Sequence, residues 1–147
     1  MSLPPPTDVT PGDRRMAAHV RPLVLALRPA LTEAEFDRFA VEAHAQGLVF
    51  TAAYDEHGHC VAVATHRVLA TSRGRVLFVD DLVTDPAHRS AGVGARLFAH
   101  LAARARDAHC TCVELDSGVT NHLAHRFYHA RRMRVTALHL ALEVADG

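Results

Sequence analysis

Arg89, Gly92 and Gly94 stand inside the run Val79-Asp80-Asp81-Leu82-Val83-Thr84-Asp85-Pro86-Ala87-His88-Arg89-Ser90-Ala91-Gly92-Val93-Gly94-Ala95-Arg96-Leu97-Phe98, where an apolar strand-like stretch gives way to a helix-forming one. The start of a helix leaves its first backbone N–H groups without internal acceptors. Glycine, having no Cβ, permits tight curvature and lets an anion come close to those amides. With an arginine beside it, such a turn has the chemistry to hold a diphosphate. Two glycines also serve a plain strand-to-helix turn, so the neighbouring signals decide between the readings.

Two other phosphate-binding loops are excluded or weakened by spacing. A Walker loop ends in Gly-Lys-Ser/Thr, and the chain has no lysine. A dinucleotide fingerprint places its glycines directly after the first strand with an acidic residue on the next, whereas these glycines come late and follow a loop carrying Pro86 and Arg89.

Other reactive groups are less organised. Cys60, Cys110 and Cys112 form no paired framework, which fits reduced thiols. On an extended strand Cys110 and Cys112 share a face, and without a second pair at metal spacing they read as buried structural thiols. His125 and His129 are one helical turn apart but lack the glutamate of a metallohydrolase helix, so no metal is expected. Asp80 and Asp81 are adjacent. Strand alternation sends them to opposite faces unless a bulge intervenes.

The 147 residues suffice for one domain with a sizeable core. Sixteen basic residues balance sixteen acidic ones, which argues against a broad nucleic-acid surface. The absence of a bilayer-length apolar run, and an N-terminus with Pro4, Pro5 and Pro6, favour a cytoplasmic protein with no membrane partner.

The elements that must position these groups follow from periodicity and capping. Residues 1–6 read as a flexible tail, followed by an edge strand near Asp8-Val9-Thr10. Asp13 to Leu27 reads as a helix that Pro22 shortens or kinks. Thr32 and Glu35 form a capping box for a second helix to about Gln46, with Phe36, Phe39, Ala40 and Ala43 facing inward. Leu48–Tyr54 and Val61–Leu69 read as a hairpin turned by Gly58, and Val76–Val83 as a strand too apolar for an edge. After the glycine-led helix come a strand at Thr111–Leu115, a short helix at His122–Ala130 and a last strand from about Val135 to Val144. The whole is a mixed sheet flanked by helices.

The segment from Asp81 to Phe98 resembles the acyl-coenzyme A motif of the GNAT superfamily of N-acetyltransferases, Arg/Gln-x-x-Gly-x-Gly/Ala after a strand, with Arg89, Gly92 and Gly94 in the matching places. Leu115-Asp116-Ser117-Gly118-Val119-Thr120-Asn121, with Ala124 and Phe127-Tyr128, resembles the family's distal strand-and-helix region. The family commonly has Gly-Phe after the tyrosine, where this chain has Arg132-Met133. The resemblance extends over about residues 7 to 144. It implies a single α+β (α/β) domain over residues 7–147, with a mostly antiparallel sheet and a splayed strand at the cofactor site.

It further implies transfer of an acetyl group directly from acetyl-CoA to a primary amine of a small molecule or peptide, without a covalent enzyme intermediate. Main-chain donors of Ser90, Ala91, Gly92, Val93, Gly94 and Ala95 would cradle the diphosphate, with Arg89 adding charge. Backbone groups of Leu82, Val83 and Thr84 would meet the pantetheine arm, and Asn121 would orient it. Tyr128 would be the acid that protonates the leaving thiolate. The amine-facing base, or a residue orienting a water for that task, is Asp80 or Asp81. Together with Asp116 they suggest an acidic pocket. His66, Arg67 and His139 are secondary candidates. A homodimer could complete the acceptor volume. A noncatalytic acyl-coenzyme A sensor is the alternative from another class.

Overall fold

In a computed structural model, which describes residues 3–89 and 92–145, five strands and four α-helices follow the order read from the sequence. The strands are β1 (Thr7–Val9), β2 (Val49–Tyr54), β3 (Cys60–Thr71), β4 (Gly74–Thr84) and β5 (Cys112–Leu115). The helices are α1 (Arg21–Leu27), α2 (Glu33–Ala45), α3 (Val93–Asp107) and α4 (His122–Ala130). The strands lie side by side in chain order. Pairs β1–β2, β2–β3 and β3–β4 are antiparallel, and the sheet as a whole is mixed. The chain divides into two compact units, one up to Glu114 and one from Leu115 onward.

Local chemistry accounts for most element boundaries. At the start of α2 the Thr32 hydroxyl accepts from the Glu35 amide at 3.1 Å while Glu35 accepts from the Thr32 amide at 3.0 Å, the reciprocal cap expected from the sequence. Pro22 is accommodated rather than disruptive. It lies in the first turn of α1, just after a π-helical turn over Met16–Val20 in which the Arg21 amide reaches back to the Met16 carbonyl. The wider turn leaves room for a ring that lacks an N–H. Gly58 turns the β2–β3 hairpin at φ 80°.

Phe36, Ala40 and Ala43 of α2 pack with Val20 and Val24 on Phe50, Ala52 and Val63 of the sheet, and Phe39 is partly buried beside them. Side chains of β2 and β3 alternate, so Thr51 and His66 point away from this layer. In α3 the buried positions Val93, Leu97, Leu101 and Ala105 recur every four residues, giving one apolar stripe. Leu97 and Leu101 are fully buried, and truncating such a leucine to alanine costs about 2–5 kcal/mol.

Two sequence expectations fail here. Val135–Val144 is not a strand: the segment has no regular secondary structure, and Val135, Leu138, Leu140, Leu142 and Val144 are each more than three-quarters exposed. Alternating apolar residues supply strand propensity, but a strand exists only when its backbone pairs with a neighbour. Cys110 and Cys112 are also not buried, being half-buried and exposed respectively, because they flank the start of the short edge strand β5. Among the described residues no helix is long and apolar enough to cross a membrane.

Candidate active site

The register of β3 against β4 sets the central feature. Thr65 pairs with Asp81 and the next residue, His66, pairs with Val79, so Asp80 is one residue too many and forms a bulge on β4. Alternation is reset at that point, and Asp80 and Asp81 line the same cavity of about 500 Å3. Each carboxylate meets a guanidinium. Nη2 of Arg28, the residue closing α1, donates to Asp81 Oδ1 at 2.8 Å, and its Nε donates to the same oxygen at 3.2 Å. The Thr65 hydroxyl donates to Asp81 Oδ2 at 2.6 Å, and Asp81 is buried. On the neighbouring position Arg67 Nε donates to Asp80 Oδ2 at 3.2 Å, with the Asp80 side chain about one-third exposed. The rest of the wall is apolar, with Val24, Leu31, Phe39 and Leu48 among its residues.

Leu82, Val83 and Thr84 continue β4 beyond the bulge, paired on one edge with Ala64, Val63 and Ala62. On the other edge, the Thr111 amide just before β5 donates to the Arg75 carbonyl at 2.7 Å, near the start of β4. With four residues against the eleven of β4, β5 is too short to accompany β4 as far as Leu82.

The chain then turns. The Asp85 carboxylate accepts from the Ala87 amide at 3.0 Å, capping a short 3-10 turn over Pro86–His88, and Arg89 follows in extended conformation with its side chain exposed. Ser90 and Ala91 lie outside the described residues. Gly92 adopts φ 75°, ψ 10° as N-cap of α3, a left-handed conformation that glycine reaches without steric cost. Among the described residues no side chain caps this helix, in contrast to the capped starts of α2 and α4, and its first turn has no acidic residue. Among the described residues, the amides of Val93, Gly94 and Ala95 meet no side-chain acceptor at the start of the helix. A Cβ added at Gly92 would meet nothing within 4 Å, so the constraint there is the backbone angle and the space beside it is open to a ligand.

The family model for the acetyltransferase (GNAT) family matches residues 17–132. The chain belongs to the GNAT acetyltransferase family. It is an acyltransferase of EC 2.3.1 type, and the family implies an acyl-coenzyme A cosubstrate. None of the curated proteins is a significant match.

Solved structures agree on the GNAT fold. AAC(6')-Iy, in complex with the bisubstrate analog CoA-S-monomethyl-acetylneamine, superposes with a TM-score of 0.82 at 16% identity, covering 99% of this chain and 100% of that one. A putative acetyltransferase from Agrobacterium tumefaciens reaches 0.78 at 25% identity, covering 98% and 100%. Glucosamine-6-phosphate N-acetyltransferase from Arabidopsis thaliana reaches 0.73 at 20% identity, covering 99% and 100%.

The remaining sequence candidates fall into several settings. Within the second unit, Asn121 is the N-cap of α4, its Oδ1 accepting from the Ala124 amide at 3.2 Å. Tyr128, on the same helix, is half-buried and meets the Phe127 ring edge-on at 5.3 Å between centroids. Burial pushes its phenol above the ordinary value, so it is protonated at neutral pH. Asp116 and His139 pair with each other, Oδ2 to Nδ1 at 2.9 Å. The expected acidic pocket is thus corrected: Asp80 and Asp81 share their cavity with two arginines, and Asp116 is engaged by His139.

His66 is not directed to the cavity carboxylates but sits fully buried, its Nε2 2.8 Å from Thr51 Oγ1. Thr51 donates to Asp8 at 2.9 Å, and Arg104 of α3 grips the same carboxylate. Desolvation lowers the His66 pKa to about 4, with the positive charge of Arg104 contributing. Arg28 and Thr65 were not singled out by sequence reasoning. The one available signal was Arg28-Pro29, which marks a helix end but says nothing of a partner far along the chain.

Proposed function

We propose that this GNAT enzyme transfers an acetyl group directly from acetyl-CoA to a primary amine of a small molecule or peptide, without a covalent enzyme intermediate. The observation that carries this reading is the uncapped start of α3 at Gly92, which presents main-chain donors and the positive end of the helix to an anion. Gly92, Val93, Gly94 and Ala95, together with Ser90 and Ala91, hold the diphosphate, and Arg89 supplies charge beside them. Leu82, Val83 and Thr84 offer the pantetheine arm a strand edge. The side-chain NH2 of Asn121 orients that arm while its oxygen caps α4.

Asp80, more exposed than Asp81 and reached by Arg67, takes the amine proton directly or through a water. Asp81 is held by Arg28 and Thr65 and shapes the site. Tyr128 donates the proton that the departing thiolate needs, a role that its raised pKa supports. A homodimer belongs to the same proposal, since the exposed apolar run from Val135 to Val144 offers surface for a second copy to cover.

The deciding experiment combines titration calorimetry against coenzyme A with rapid-quench intact-mass analysis during turnover. Saturable binding, an acetylated amine product and no acetylated protein at competent rates are expected. Tight binding with no transfer to any amine would mark a sensor, and stoichiometric acetyl-enzyme that forms and decays at the turnover rate would overturn direct transfer.

A further inference from the structure

The cavity beside the β4 bulge carries chemistry that selects among amines. Its four charged groups, Asp80, Asp81, Arg28 and Arg67, sum to zero formal charge, and each carboxylate already meets a guanidinium. A polycation entering here would add several positive charges with no surplus of negative charge to receive them. A zwitterion adds none. Arg28 lines this cavity and directs two of its five donors at a single oxygen of Asp81, and its side chain is 57% exposed, which leaves its other donors accessible. A planar donor set of this kind matches a carboxylate. The apolar wall of Val24, Leu31, Phe39 and Leu48 suits a hydrocarbon or aromatic side chain, and about 500 Å3 holds a molecule of amino-acid to dipeptide size.

Resting on the acetyl-transfer reading above, we infer that the acceptor is a small zwitterionic amine with an apolar side chain, of the apolar α-amino acid type, whose carboxylate is received by Arg28 and whose amine lies at Asp80. In the reaction the amine nitrogen bonds to the acetyl carbon of the thioester and the carbon–sulfur bond breaks. The surplus amine proton passes to Asp80 or water, and the leaving thiolate takes a proton from Tyr128. The products are an N-acetyl amino acid and free coenzyme A.

Matched acceptor pairs test this directly: leucine against isopentylamine and phenylalanine against phenethylamine, with neamine as a polycationic probe, each assayed by thiol release and product mass. The amino acids should exceed their decarboxylated partners in kcat/KM by at least about 10-fold, the worth of one charge-assisted contact. In Arg28→Gln that ratio should fall toward one through a raised KM for the amino acid, and Arg28→Lys should restore part of it. Calorimetric binding of coenzyme A, measured on each variant, confirms that the fold persists. Preference for a decarboxylated amine or for neamine, or an undiminished ratio in folded Arg28→Gln, overturns the acceptor assignment while acetyl transfer stands. Absence of both coenzyme A binding and transfer to any amine removes the acetyl-transfer reading itself, and this inference with it.

Discussion

The guanidinium of Arg28, where α1 ends, lies 2.8 Å from Oδ1 of Asp81 on β4, bringing together residues 53 positions apart in the chain. The bridge joins the first α-helix to the strand segment in which the bulge sits, and the Thr65 hydroxyl holds the other carboxylate oxygen. The cavity lined by Asp80 and Asp81 lies where helix and bulge meet.

Asp81→Asn keeps the shape of the side chain but removes the charge that Arg28 meets. Because Arg28 is more than half exposed and water screens the pair, the expected loss is modest, about 1–2 kcal/mol, read as a lower urea midpoint. Asp80→Asn, at a partly exposed pair worth about 0–1 kcal/mol, should leave stability near that of the parent while lowering kcat. Equal kinetic losses in the two variants would contradict the division of roles.

Gly92→Val should abolish or weaken coenzyme A affinity by at least about 10-fold in a folded protein. The residue sits at φ 75°, a region that costs a β-branched side chain on the order of 1–3 kcal/mol, and relaxing that strain moves the first amides of α3. Circular dichroism verifies the fold and calorimetry reads the affinity. Parental affinity in the folded variant would remove this turn from the cofactor site.

Tyr128→Phe retains the ring and its contact with Phe127 and removes only the hydroxyl. The expected result is a fall in kcat of about 10²- to 10⁴-fold with acetyl-CoA affinity kept. Since burial raises the phenol pKa, any alkaline limb caused by Tyr128 lies above the ordinary tyrosine range. Unchanged kcat and pH profile in Tyr128→Phe would assign the proton to another donor.

His66 makes stability fall in acid. Its folded pKa is about 4 and its ordinary value is 6.5, so between these values the unfolded chain binds a proton that the folded chain refuses. The contribution is fully present above pH 6.5 and is lost as pH falls toward 4. The difference corresponds to about 3 kcal/mol. Urea midpoints at pH 7, 5.5 and 4 should decline across this window, and the decline should be shallower in His66→Gln. A parallel decline in both proteins would place the sensitivity elsewhere.

Thr32→Ala removes one half of the α2 capping box and should lower stability by about 1 kcal/mol with no effect on KM for either substrate. A change in kinetics without a change in the urea midpoint would show that α2 acts on the site by other means.

Local features of this chain were legible because they depend on residues close in sequence. Thr32 and Glu35 cap α2 from three residues apart, Gly58 turns a hairpin built from its own neighbours, and Gly92 opens α3 because its own dihedral requires glycine. The motif around Arg89, Gly92 and Gly94 pointed to the family for the same reason. What tertiary structure decided depends on register and on packing between distant elements. Only the pairing of Thr65 with Asp81 and His66 with Val79 makes Asp80 a bulge and turns two adjacent carboxylates into one cavity. Only the approach of α1 brings Arg28 to them, converting an apparently acidic pocket into a charge-balanced one. The same logic explains the failure at Val135–Val144, where alternating apolar residues describe a strand but cannot supply the neighbouring backbone that would make it one.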